Sequence, residues 1–258
     1  MIFICGDNHG HFDHIIQACK EHRPSAIISV GDITETLPYG VNEPAYISLA
    51  PVLDLGIQFY WVPGNHDTDS ANQYDSLFPA CPNTNLHGKV MTLHDPDLGR
   101  VRVAGLGGIF RGQIWRPPEP QHYASAEDFA RRMGKGNTWR GGLPLKHRST
   151  IFPDVYERLS EMKADLLITH EAPSYHPMGF DEIELLAAAM GVKQSYHGHH
   201  HEALDYSRFA ARDGFEAFGV GFCGIVAIRG YERKDIEVIV RGKFDDERGR
   251  RRQPWGQP

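Results

Sequence analysis

Short apolar, β-branched runs recur along the chain: Ile2 to Cys5, Ala26 to Val30, Ile57 to Val62, Val101 to Ala104 and Leu166 to Ile168. Their length and lack of helical spacing predict buried strands. Between them the apolar period changes. Phe12, Ile15, Ile16 and Cys19 share one helical face stopped by Pro24, and Phe180, Ile183, Leu186, Ala187 and Met190 form another stopped by Gly191. Strand and helix therefore alternate, which predicts an α/β fold. Later, Val220 to Ile228 and Ile236 to Val240 follow one another with no helix-length segment between, which predicts a mixed or a second sheet.

The stretch from about Leu106 to Arg148 breaks the pattern, being rich in Gly, Pro, Arg and Trp, with one helix opened by Ser125 and Asp128. It reads as a long functional insertion within one domain spanning residues 1–244. The charged tail of residues 245–258 ends in Pro and Gly and is expected to be disordered.

With 258 residues the chain can bury a large core without disulfides, and its four cysteines, Cys5, Cys19, Cys81 and Cys223, are too dispersed for a zinc cluster. A cytoplasmic location is expected. No apolar run is long enough to cross a bilayer, and the first strand begins at Met1, which argues against a removable leader and a membrane role. The net charge of -6 argues against a general nucleic-acid coat. That charge is uneven, because the insertion carries eight basic residues against three acidic ones.

Polar motifs stand at the ends of the predicted strands: Gly6-Asp7-Asn8-His9-Gly10, Gly31-Asp32-Ile33-Thr34-Glu35, Gly64-Asn65-His66-Asp67, Thr169-His170-Glu171 and His197-Gly198-His199-His200-His201. In open α/β sheets ligands bind beyond the carboxyl ends of strands, so these loops can converge on one crevice. Residues two apart in extended chain share a face, which would let Asp7 act with His9 and His199 with His201. Each motif alone could be an ordinary polar turn. Together they supply Asp7, Asp32, His9, His170, His199, His201 and Asn65, a donor set without thiolate that suits Mn, Fe or Zn.

Two divalent ions about 3.5 to 4 Å apart repel by about 18 kcal/mol at an effective dielectric constant of 20, so an anion such as the Asp32 carboxylate must lie between them. Two aspartates leave the site positive, which favours phosphate esters over neutral amides. A water bridging the ions would ionise near neutral pH and serve as nucleophile.

The five ordered motifs resemble those of the calcineurin-like metallophosphoesterase family, from Gly6 to His201. The resemblance implies a four-layer αββα sandwich with two mixed β-sheets, and hydrolysis of phosphate esters by a phosphatase or phosphodiesterase using two divalent metal ions, manganese foremost. It implies one metal on Asp7, His9, Asp32 and His201 and the other on Asp32, Asn65, His170 and His199. His66 matches the histidine that contacts phosphate and helps the leaving group, and Glu35 the carboxylate that orients it, with Asp67 as a competing partner. The phosphoprotein phosphatase signature is absent, since Glu35, Thr36 and Leu37 stand where Asp, Arg and Gly would be.

A weaker likeness to RNA lariat debranching enzymes runs through Arg102 to Phe110 and Leu167 to His170, although those enzymes carry Cys where this chain has Asp7. Two alternatives stay open, an RNA-processing phosphodiesterase and a non-catalytic interaction scaffold on the same fold. Trp115 and Trp139 lie among the insertion's arginines, so Arg111, Arg116 and Arg140 are candidates to bind a nucleotide or RNA substrate. The oligomeric state is not legible.

Overall fold

The computed structural model describes residues 1–35 and 43–245. Thr36, Leu37 and the expected disordered tail, apart from Asp245, fall outside those residues. The apolar runs become strands β1 (Ile2–Cys5), β2 (Ala26–Ser29), β3 (Gln58–Trp61), β4 (Lys89–Asp95), β5 (Gly99–Leu106), β6 (Leu166–Thr169), β7 (Gln194–His197), β8 (Leu204–Asp205), β9 (Glu216–Gly219), β10 (Ile225–Ile228) and β11 (Ile236–Val240).

They form two sheets, one in the order β11-β10-β1-β2-β3 and the other β4-β5-β6-β7-β9-β8. Both are mixed. β1, β2 and β3 run parallel while β10 pairs antiparallel with β1 and β11. β5, β6, β7 and β9 run parallel between antiparallel edges β4 and β8.

Side-chain alternation builds the layers. Ile2, Ile4, Ile28 and Val30 of the first sheet meet Val101, Val103, Leu166, Ile168 and Phe218 of the second in one buried cluster between the sheets. The intervening residues face outward. Phe3, Cys5, Ile27 and Trp61 pack against Ile15, Ala18 and Cys19 of the helix Asp13–His22. On the opposite side Ala104, Leu106, Leu167 and Ala217 pack against Leu159 and the buried stripe Ile183, Leu186, Ala187 and Met190 of the helix Asp181–Met190. The result is the four-layer αββα sandwich.

The expected strand Val220 to Ile228 is shortened by the structure, because only Ile225–Ile228 of it is strand and residues 220–224 cross from one sheet to the other. β9 closes at Gly219 in one sheet and β10 opens at Ile225 in the other. The crossing segment contains Cys223 in the left-handed region at φ 54 and lets Gly6 N–H donate to the Gly224 carbonyl at 2.9 Å. The insertion helix, Ala126–Arg132, starts where expected, with Ser125 Oγ accepting from Asp128 N–H at 3.1 Å. Trp115 does not offer an exposed ring: it is 7% exposed and packs edge-on against Phe110 and Tyr156.

Candidate metal centre

The carboxyl ends of the parallel strands in both sheets feed the five motif loops, and those loops are tied together by backbone hydrogen bonds. Asn8 and His9 N–H donate to the Asp32 carbonyl at 3.1 and 2.9 Å, and Gly10 N–H donates to the Ile33 carbonyl at 2.8 Å. The loops approach so closely that a Cβ on Gly64 would stand 2.2 Å from Asp32 N, and one on Gly31 would stand 2.5 Å from His170 Nδ1. Only glycine fits there.

Convergence does not come from strand alternation, as the sequence suggested. β1 ends at Cys5 and β7 at His197, before the ligand pairs begin. His9, Asp32, His199 and His201 instead occupy the left-handed region, with φ of 43, 47, 69 and 58°. Such conformations cost about 1–3 kcal/mol each and persist where surrounding structure over-determines them, characteristically at functional sites.

The candidate ligands come together in two groups sharing one carboxylate. His9, Asp32 and His201 offer ligand atoms within 4.8 Å of one another, as do Asp32, His170 and His199. Asp7 joins the first group, its Oδ2 3.5 Å from His201 Nε2, and Asn65 joins the second, its Oδ1 3.1 Å from His170 Nε2. Thus all seven residues named from the sequence meet at one place.

Two observations test whether cations suit these residues. Asp7 is fully buried, and neither carboxylate oxygen makes a hydrogen bond of ordinary geometry. Burial pushes its pKa well above the usual carboxylate range, against the opposing charge of His170. An isolated buried carboxylate is costly unless a cation meets it. Second, His170 Nδ1 donates to the Val30 carbonyl at 2.9 Å, leaving the neutral ring's Nε2 as a lone pair. That lone pair faces two further acceptors, Asn65 Oδ1 and Asp32 Oδ2 at 3.3 Å. Without a metal the ring would hold a proton, and although burial lowers its pKa, Asp32 and Asp7 carry it up to about 10. Both features fit a divalent ion.

His66 stands at the exposed mouth, and the carboxylate that meets its Nδ1 is Asp69, at 2.6 Å. Burial lowers the His66 pKa, but Asp32 and Asp69 outweigh it and hold the ring above its ordinary value. Asp67 has another role. Its Oδ1 accepts from Ile33 N–H, Thr34 N–H and Thr34 Oγ1, each at 2.9 Å, and its Oδ2 from Gly64 N–H at 2.8 Å. The sequence candidate Asp67 is thereby corrected: it staples two motif loops instead of orienting His66. The candidate Glu35 is corrected too: its Oε2 stands 3.9 Å from His9 Nδ1, and Asp69 holds the place beside His66 that the resemblance gave to Glu35.

Sequence reasoning missed Asp69, although the signal was present. His66–Thr68 form a helical turn, and on a helix residue i+3 returns to the same side while i+1 turns away. It also missed Glu171, buried, with Oε1 accepting from Phe110 N–H at 2.9 Å and its pKa pushed by burial up to about 7. Glu171 and His200 group with His199, so they border the second set of ligands.

The insertion's arginines have different fates. Arg111 is half-buried, donates from Nε to Thr150 Oγ1 at 3.1 Å, and feels the charges of Asp69 and Glu171. Arg116 is exposed beside the Phe180 ring. Arg140 forms a two-pronged pair with Asp75, at 2.5 and 2.7 Å, and covers the Trp139 ring.

The sequence profile of the calcineurin-like phosphoesterase family matches residues 1–203. This chain belongs to the calcineurin-like phosphoesterase family. Within it, an uncharacterized protein of Haemophilus influenzae is 41% identical over 207 residues, covering 80% of this chain and 85% of its own length. The crystal structure of TT1561 from Thermus thermophilus superposes with a TM-score of 0.55 at 13% identity, covering 92% of this chain and 98% of that one, a likeness of fold. The calcineurin-like phosphoesterases are metal-dependent phosphoester hydrolases as a superfamily, and the His and Asp groups described above could hold such metals. Among the described residues no helix is long and apolar enough to cross a membrane.

Proposed function

We propose that the chain hydrolyses phosphate esters at a centre for two divalent ions, one held by Asp7, His9, Asp32 and His201 and the other by Asp32, Asn65, His170 and His199. The observation that carries this reading is the pair of ligand groups with Asp32 in common. Divalent ions there, manganese foremost with iron or zinc as alternatives, would supply Lewis acidity toward the phosphoryl group and lower the pKa of water. Asp32 contributes the shared negative charge and, through Oδ1, accepts the His66 N–H at 2.8 Å, fixing the loop that carries the proton donor. His66, oriented by Asp69, delivers a proton to the departing ester oxygen. A screen of mono- and diesters, nucleotides and single-stranded RNA with Mn, Fe and Zn tests the activity, and absence of hydrolysis on every ester would leave the scaffold reading.

Two predictions concern the mouth of the site. His66→Asn should spare bound metal and reduce kcat by about 10²-fold or more on an alkyl ester, with a smaller loss on a nitrophenyl ester whose oxygen leaves without help. Asp69→Asn should show the same leaving-group dependence at about tenfold. Equal losses on both esters would assign the pair to positioning.

A third prediction separates the insertion's arginines. Arg111→Gln should raise KM about tenfold, because Arg111 lies beside Asp69 and Glu171 at the edge of the centre. Arg140→Gln should leave KM within about twofold, since Arg140 is committed to Asp75 at the surface. Arg116 remains available for a larger substrate. With Trp115 buried, the stacking surface expected for RNA is halved, so small esters are preferred to nucleic acid.

A further inference from the structure

Next to the metal centre lies a cavity of about 310 Å³, whose lining includes His9, Phe12, Ile33, Glu35, Glu43 and Ala45. His9 belongs to the first ligand group, so the cavity opens from the place where a phosphoryl group would sit. Its floor is apolar: Ile33 and Ala45 are buried and Phe12 is half-buried. Two carboxylates stand on its wall. Glu43 is held in place by Ser48 Oγ, which donates to its Oε2 at 2.7 Å. Glu35 stands with Oε2 3.9 Å from His9 Nδ1. Among the described residues lining it there is no lysine or arginine.

This combination discriminates. Ligand pockets span roughly 300 to 1,000 Å³, so this one is of ring size and too small for a polymer. A flat or compact apolar group gains by covering Phe12, Ile33 and Ala45, whereas a second anion at the end remote from the ligand groups would face Glu35 and Glu43 with no lysine or arginine among the described lining residues. We propose that this cavity takes the organic group of the phosphate ester and that Glu43, with Glu35, selects small neutral or cationic groups against those carrying a second negative charge. The inference rests on the reading of the centre as a phosphoesterase and names the substrate class for it.

Three aryl phosphates of similar size test it: phenyl, para-(aminomethyl)phenyl and para-carboxyphenyl phosphate, with methyl phosphate as an ester too small to need the cavity. The wild-type kcat/KM should be about tenfold lower for the carboxylate than for the other two, although its leaving group is no poorer. Glu43→Gln should narrow that gap to about threefold, and Glu43→Lys should abolish or reverse it. Ala45→Phe should raise KM for all three aryl esters about tenfold and leave methyl phosphate within about twofold. If melting shows that Ala45→Phe does not fold, the two Glu43 variants decide, since Glu43 is exposed. Equal kcat/KM for the three aryl esters, or a gap unmoved by both Glu43 variants, overturns the assignment of the cavity. Failure to hydrolyse any of the four esters or their methyl diesters overturns the phosphoesterase reading itself.

Discussion

Asp32→Ala is expected to empty both cation positions and to reduce kcat/KM on the order of 10⁴-fold, about 5.4 kcal/mol of transition-state stabilisation. Its carboxylate is the one donor common to both ligand groups. Removing it takes away the carboxylate shared by the two groups, which is placed to offset the repulsion between two divalent ions, and also the acceptor for the His66 amide. Burial by itself would raise the Asp32 pKa, yet His170 and His66 hold it low, so the carboxylate is ionised wherever the protein is folded near neutrality. Elemental analysis of the purified variant and a nitrophenyl phosphate assay check the prediction. A variant that kept two ions per chain and most of its activity would show that the shared ligand is another residue.

The second large effect is on stability. Asp67→Ala should destabilise the fold by about 4 kcal/mol, because four buried donors, from Ile33, Thr34 and Gly64, lose their acceptor at once. Asp67→Asn should be damaging as well, since an amide would turn an N–H toward an N–H. The change is to be read from urea melts with metal present and absent. A loss below about 1 kcal/mol would mean that Asp67 is not the staple. Should activity fall while stability holds, Asp67 would return as a catalytic residue.

Much of the site was legible because the chemistry depends on residue type at strand ends, and strand ends are marked by the apolar runs before them. Ile2 to Cys5, Ala26 to Val30 and Leu166 to Ile168 each lead directly into Asp7, Asp32 or His170. β7 was harder to see. Gln194 and Ser195 are polar yet fully buried, and Gln194 is satisfied by Tyr196 Oη donating to its Oε1 at 3.0 Å. β4 was hidden by its position at a sheet edge, where Lys89, Thr92 and His94 face solvent and only Leu93 and Asp95 are buried.

What the sequence could not carry is direction within loops. His66, Asp67 and Asp69 lie within four residues, and the helical turn alone sends Asp67 inward to backbone amides and returns Asp69 to His66. The same holds for Trp115, which composition places among arginines but packing places in the core beside Phe110. The left-handed conformations of His9, His199 and His201 likewise leave no mark in the residue pattern, because glycine-free positive φ is imposed by the surrounding contacts.

The most direct test of the two-cation centre is a titration of metal-stripped protein with Mn²⁺, following bound ions per chain and nitrophenyl phosphate hydrolysis in the same samples. Two ions should bind, the metal-free protein should be inactive, and the larger part of the activity should appear only as the second position fills. Full activity at one bound ion per chain, or hydrolysis that survives complete removal of metal, would contradict it.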